Sequence, residues 1–163
     1  MGDIKKRRRL FSRPRKLFDR ARIDAEDVIV QKYGLKNKRE IWKAKSAVSR
    51  FRRRAKALIG KDLEEQKRYF EKLNKIGLNV TSVSDALALN EENLLERRLQ
   101  TMVFKKGLAN SPKQARQLIV HKSVVVDGSM VNIPSFLVTR DLENKLSLKT
   151  RKVKTKVVKE ESE

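Results

Sequence analysis

The sequence predicts an α+β fold that is mostly helical: an N-terminal helical cluster with a basic arm, then a two-helix module closed by a small β-sheet. Three observations predict it. Apolar residues recur at alternating spacings of three and four through the first half, the period of helices with one buried face. From Val124 the pattern changes to a valine run ending in Asp127-Gly128, a dipeptide that accepts positive φ and reverses the chain. Glycines that end helices, and Asp, Asn and Ser residues that open them, punctuate the segments between.

The arm, residues 1–23, comes first. Lys5-Lys6-Arg7-Arg8-Arg9 and Arg13-Pro14-Arg15-Lys16 have little periodic apolar content, so this segment has no core of its own. A solvated tail is the plain account. An arm that orders against phosphate accounts better for the charge, with Arg7, Arg8, Arg9, Arg13 and Arg15 as contacts. Phe11, Leu17 and Phe18 either anchor it on protein or stack on bases.

A helical unit is expected over residues 24–92. Asp24 caps a short helix with Val28 and Ile29, ending at Gly34. Asn37 and Glu40 open the next, whose inward stripe is Ile41, Ala44, Val48, Phe51, Ala55 and Leu58, with Gly60 as its stop. Trp42 falls beside the stripe, where core packing is favoured over base stacking. The outer faces hold Lys43, Lys45, Arg50, Arg52, Arg53, Arg54 and Lys56, with only Glu40 near them. A solvated face would mix signs; one sign at this density reads as a ridge for phosphate, with Lys43, Arg50, Arg53 and Arg54 as the chosen contacts. Asp62 and Glu65 start a third helix with Leu63, Phe70, Leu73 and Ile76 inward, ending at Gly77. Ser82 opens a short fourth with Val83, Ala86, Leu87 and Leu89. These two are nearly neutral and read as scaffold.

The module is expected over residues 93–149, entered through a helix that Asn90 caps. That helix carries Leu94, Leu95, Leu99, Met102 and Val103 on one side and ends at Gly107. Arg97, Arg98, Lys105 and Lys106 lie on it as expected RNA contacts, and the spacing brings Arg98 and Lys105 to one side. Ser111 opens the second helix, with Pro112 at its first position and Gln114 three residues on, as in a capping box. Lys113, Gln114 and Arg116 occupy its first turns, where free N–H groups attract anions. Capping is favoured over direct contact for Ser111. Arg116 is the sharper candidate, because guanidinium binds phosphate in a bidentate way. His121 ends the helix, where its plain role is to meet the last carbonyls. Phe136, Leu137 and Val138 read as a strand after Pro134, Leu146 and Leu148 extend the sheet, and residues 150–163 form a charged tail.

Composition narrows the partner. Among 163 residues, 41 Lys and Arg oppose 20 Asp and Glu, a net charge of +21. Residues 1–60 alone hold 21 basic and 6 acidic residues, a net of +15. Self-repulsion of that size calls for a polyanion, and nucleic acid is the expected one. No apolar run approaches the roughly 20 residues needed to span a bilayer, so no membrane is expected. Without cysteine, and with one histidine, neither disulfides nor a thiolate or imidazole metal cluster can form. Gly-rich phosphate loops, GxSxG and HExxH are all missing, so an enzyme is not expected, nor any cofactor or small-molecule substrate.

Three strings carry a family resemblance: Leu95-Glu96-Arg97-Arg98-Leu99-Gln100, Gln114-Ala115-Arg116-Gln117-Leu118-Ile119-Val120-His121 and Val131-Asn132-Ile133-Pro134-Ser135-Phe136. They resemble the S-four RNA-binding domain. Upstream, Lys32-Tyr33-Gly34-Leu35-Lys36-Asn37-Lys38-Arg39-Glu40-Ile41-Trp42 extends the likeness to the universal S-four family of small-subunit ribosomal proteins, archaeal and eukaryotic type. The resemblance implies binding to small-subunit ribosomal RNA where helices join, early in subunit assembly and near the path of incoming messenger RNA. It implies neighbouring small-subunit ribosomal proteins as partners and a cytoplasmic, ribosomal location. It also implies Gln114 and Arg116 as RNA contacts, and His121, Lys122 and Ser123 at the RNA-facing corner. Lys122 stands where the family often has a glycine, so a left-handed turn there would carry about 1 kcal/mol of strain. The cysteines that many bacterial members use for a metal have no counterpart. An assembly factor built on the same module is the alternative within RNA binding. A nucleic-acid-compacting basic protein fits the charge but not the capped module.

Overall fold

The structure is a computed structural model that describes residues 10–149. Four helices build the first unit: α1 (Arg20–Tyr33), α2 (Arg39–Ala57), α3 (Leu63–Ile76) and α4 (Val83–Ala88). A short α5 (Glu91–Glu96) packs back on α2. The second unit contains α6 (Leu99–Lys105), α7 (Pro112–Val120), β1 (Val124–Val126), β2 (Ser129–Met130), a single turn α8 (Arg140–Glu143) and β3 (Leu146–Leu148). The predicted α+β, mostly helical architecture is the one observed.

The amphipathic stripe of α2 carries the first core. Ile41, Ala44, Val48, Ala55 and Leu58 are buried, with Tyr33, Leu73, Val80, Leu94 and Leu95 against them. Leu63, expected inward, is 72 % exposed, because it is the first residue of α3 and lies at the open turn after Gly60; Tyr69 takes the buried place instead. α1 starts at Arg20 with Asp19 before it, not at Asp24, which sits within the helix and pairs with Arg20 at 3.4 Å. Its end at Gly34 is as expected, with φ 59°. A Cβ there would stand 2.8 Å from the Pro112 side chain, so glycine lets the end of α1 touch the start of α7.

The single helix expected from Asn90 to Gly107 is broken. Arg98 is extended (φ −72°, ψ 145°), and the chain restarts as α6 at Leu99. The cause is an isolated bridge to a later segment: Leu99 N–H donates to the Phe136 carbonyl (2.7 Å), and Val138 N–H to that of Arg97 (2.9 Å). Residues 136–138 therefore bridge the α5–α6 step through Leu137 and do not join the sheet. The break also divides the expected apolar face. Leu94 and Leu95 enter the first core, whereas Leu99, Met102 and Val103 enter a second with Ala115, Ile119, Val124, Val126 and Val138.

The sheet has the order β2-β1-β3, both pairs antiparallel, with Val126 opposite Ser129 and Leu146. Asp127 (φ 47°) and Gly128 (φ 78°) make the two-residue turn with both central residues left-handed that the dipeptide predicts.

Candidate nucleic-acid interface

Burying one stripe of α2 forces its cations outward. Lys43, Lys45, Arg50, Arg53, Arg54 and Lys56 are all exposed. Among the described residues, no ion pair engages any of these six, and Arg54 lies 5.8 Å from the Tyr69 ring centre. Only Arg52 turns in, donating to the Leu89 carbonyl and to Asn90 Oδ1. The outer faces of α2 thus carry unneutralised charge on a rigid element, with Lys43, Arg50 and Arg54 along one flank, able to meet phosphates without breaking an ion pair among the described residues.

Between this ridge and the second unit runs a groove of about 520 Å³, walled by Lys36, Arg39, Lys43 and Arg50 and by Pro134, Ser135 and Leu137. Its floor differs from expectation. Arg98 is buried and donates to Glu40 Oε2 at 2.5 Å, and Arg116 donates to Glu40 Oε1 at 2.8 Å. Arg116 also reaches Gln100 Oε1 at 3.3 Å. Burial alone would raise the Glu40 carboxyl, but hydrogen bonds and charge from Arg116 and Arg98 outweigh it and hold it below the usual carboxylate range. Gln100, 1 % exposed, completes the joint: its amide donates to the carbonyls of Tyr33, Gly34 and Pro112 at 3.1, 2.9 and 2.9 Å.

Arg97 reaches the other way. Its guanidinium donates to the carbonyls of Ile76 (2.9 Å) and Val138 (3.0 Å) and pairs with Glu143 at 3.1 Å. Arg97 and Arg98 are thus fasteners between the two units, not free cations, because the broken helix points them inward. Nor do Arg98 and Lys105 share a side. Lys105 and Lys106 line a separate hollow with Arg97 and Glu143; Lys105 pairs with Glu96 at 2.9 Å and Lys106 donates to the Glu143 carbonyl.

The start of α7 follows its sequence closely. Ser111 Oγ accepts from Gln114 N–H at 3.2 Å, the cap role favoured for it. Gln114 Oε1 accepts from Asn110 N–H at 2.8 Å, one residue earlier than a standard capping box. Lys113 and Gln114 are exposed there. At the other end, Lys122 is left-handed at φ 57°, and its N–H and that of Ser123 close the helix on the carbonyls of Ile119 and Leu118, each at 2.9 Å. His121 and Lys122 are both exposed at this corner.

Two of the open alternatives resolve towards protein. Trp42 is partly buried against the first core, and Phe11 lies against it. Leu17 and Phe18 remain exposed, as do Arg13 and Arg15. Arg7, Arg8 and Arg9 lie outside the described residues. The charge count along the chain missed Lys36 and Arg39 as groove residues, although both sit in the string that opens α2.

A family model described as the S4 domain matches residues 97–144. The small ribosomal subunit protein uS4 of Saccharolobus islandicus (strain L.S.2.15 / Lassen #1) is 45 % identical over 151 residues, covering 88 % of this chain and 83 % of that protein. This chain belongs to the uS4 family. The uS4 protein of Picrophilus torridus is 43 % identical over 157 residues, covering 90 % of this chain and 85 % of its own length. Both alignments are longer than the matched S4 domain, so the uS4 likeness takes in the helical unit and its ridge as well. Both relatives are small ribosomal subunit proteins, and the chain is not an enzyme.

Proposed function

We infer that this chain is a structural constituent of the small ribosomal subunit, bound to small-subunit ribosomal RNA and located with the ribosome in the cytoplasm. The observation that carries the reading is α2, six of whose cations are exposed with no ion pair among the described residues, two of them, Lys43 and Arg50, walling the groove beside an S4 domain. The phosphate-facing set we assign is Lys43, Arg50, Arg53 and Arg54 on the ridge, Lys113 and Gln114 at the start of α7, and His121 and Lys122 at its end. Arg13 and Arg15 extend it, with Arg7, Arg8 and Arg9 further along the arm. Ser111 serves the set by capping, and Arg97, Arg98 and Arg116 by fixing the angle between its two halves. Its RNA target is a junction of helices, whose diverging backbones suit two cationic surfaces set at a fixed angle. Binding early in assembly, beside the path of incoming messenger RNA and next to other small-subunit proteins, completes the reading.

Sedimentation of the tagged full chain in a cell lysate tests it. A structural constituent remains with translating subunits and polysomes. Confinement to precursor particles would instead make it an assembly factor.

A further inference from the structure

The arm meets the folded protein through a cluster outside the phosphate-facing set. Phe11 lies against Trp42, ring centroids 6.2 Å apart and planes tilted by 33°. The Arg39 guanidinium stands over Phe11, 5.4 Å from its centroid. Trp42 is fixed in turn, its indole N–H donating to Glu26 Oε1 at 3.0 Å. Glu26 is only 6 % exposed and also accepts from Arg22 Nη1 on both oxygens, at 2.9 and 3.0 Å. Nη2 of Arg22 then donates to the carbonyls of Lys16 (3.2 Å) and Leu17 (2.9 Å). The arm is therefore pinned at two places to one Glu26–Trp42 pair, with Arg13 and Arg15 exposed between the pins. Just before the first pin, Leu10 lines the groove beside Arg39 and Lys43.

Core packing does not account for this arrangement. Phe11 belongs to neither apolar cluster, and a carboxylate buried as deeply as Glu26 costs free energy unless it is fully paired. Holding a cationic segment beside a cationic ridge is repulsive until a polyanion joins the two.

We propose, on the footing of the RNA-binding reading above, that the Phe11–Trp42–Glu26–Arg22 cluster is a positioning device for the arm. It fixes residues 10–17 of the basic arm at the groove and beside the ridge, so that arm and ridge meet one stretch of RNA backbone. A fixed root makes arm binding an intramolecular event at high effective concentration, and it lessens the ordering entropy that a free tail loses on RNA. Phe11 is a positioning residue and not itself a contact.

A double-mutant cycle in the full chain tests this, with a structured small-subunit ribosomal RNA fragment titrated across a salt series. One variant is Phe11→Ala, the second changes Lys5, Lys6, Arg7, Arg8, Arg9, Arg13 and Arg15 to Gln, and the third combines them. Phe11→Ala is expected to weaken binding about three- to tenfold and to lower the salt slope by about one unit. Its melting temperature should stay within about 2 °C of the parent, and Phe11→Trp should restore affinity. The combined variant should bind no worse than the Gln variant alone, because the arm then has nothing left to place. Additive losses would overturn the proposal, since Phe11 would then act by itself on a base or on the fold. Unchanged affinity for Phe11→Ala beside a weakened Gln variant would overturn it too, and would leave RNA binding by the arm intact. If the Gln variant binds like the parent, both the arm's phosphate contacts and the device are refuted. The ridge is judged separately by Lys43→Gln with Arg50→Gln.

Discussion

Glu40 answers two guanidinium groups that arrive from different elements, and the three side chains are largely shielded from water. Each ion gives up hydration, so the triad stands only because every charge in it has a partner. Glu40→Gln leaves Arg98 buried without an anion and is expected to cost about 3 kcal/mol, read as a lowered denaturation midpoint. The same change releases Arg116 toward the groove, so the RNA salt slope should steepen by about one unit while stability falls. A steeper slope with unaltered stability would mean that the triad does not hold the units together. The sign with pH follows from the depressed carboxyl. Its contribution is complete above the ordinary carboxylate pKa and is lost as pH falls through the lower folded value. Parent and Glu40→Gln stabilities should accordingly converge only once pH has fallen below the depressed folded value, in urea melts at a series of pH values. Arg116→Ala, for the same reason, should lower the melting temperature as well as RNA affinity.

At the scale of elements, α7 and its corner carry the clearest test. The left-handed Lys122 closes the helix by two backbone hydrogen bonds, a geometry that glycine takes without a Cβ penalty. Lys122→Gly should therefore stabilise the free protein by up to about 1 kcal/mol. It should also weaken RNA binding and lower the salt slope by about one unit. Destabilisation of the free protein, or an unaltered slope, would remove Lys122 from the interface. Local signals of this kind were legible: Ser111 and Pro112 start α7, Asp127-Gly128 turns the hairpin, and Gly34 and Gly77 end their helices. The stripe of α2 was legible too, because period alone decides which side is buried. The break at Arg97–Arg98 was not. Residues 91–105 contain no helix breaker, and what interrupts them is Leu137, far along the chain. The fate of Arg98 and Arg116 was hidden for the same reason: no local rule pairs them with Glu40 across 58 and 76 positions.

At the scale of the whole molecule, two small cores meet through polar fasteners, Arg97 on one side and Glu40, Arg98, Arg116 and Gln100 on the other. Hydrogen bonds to fixed carbonyls set an angle more sharply than an apolar contact does, since they are directional. The exposed cations of α2 and of the groove wall are thereby presented at a preset angle to the second unit. Association with structured ribosomal RNA should then release many counterions, each phosphate contact adding about 0.7–0.9 to the slope of log affinity against log salt. We expect a chain beginning at Asp19 to fold as the full chain does, because it keeps α1 whole and retains the Arg22–Glu26–Trp42 bonds. A start at Asp24 would cut the first turn of α1 and confuse lost contacts with lost structure. Titrations of the full and shortened chains across one salt series should give a slope that is smaller for the shortened chain by several units. Equal slopes would mean that the arm never touches phosphate, and the ridge alone would have to account for the RNA affinity.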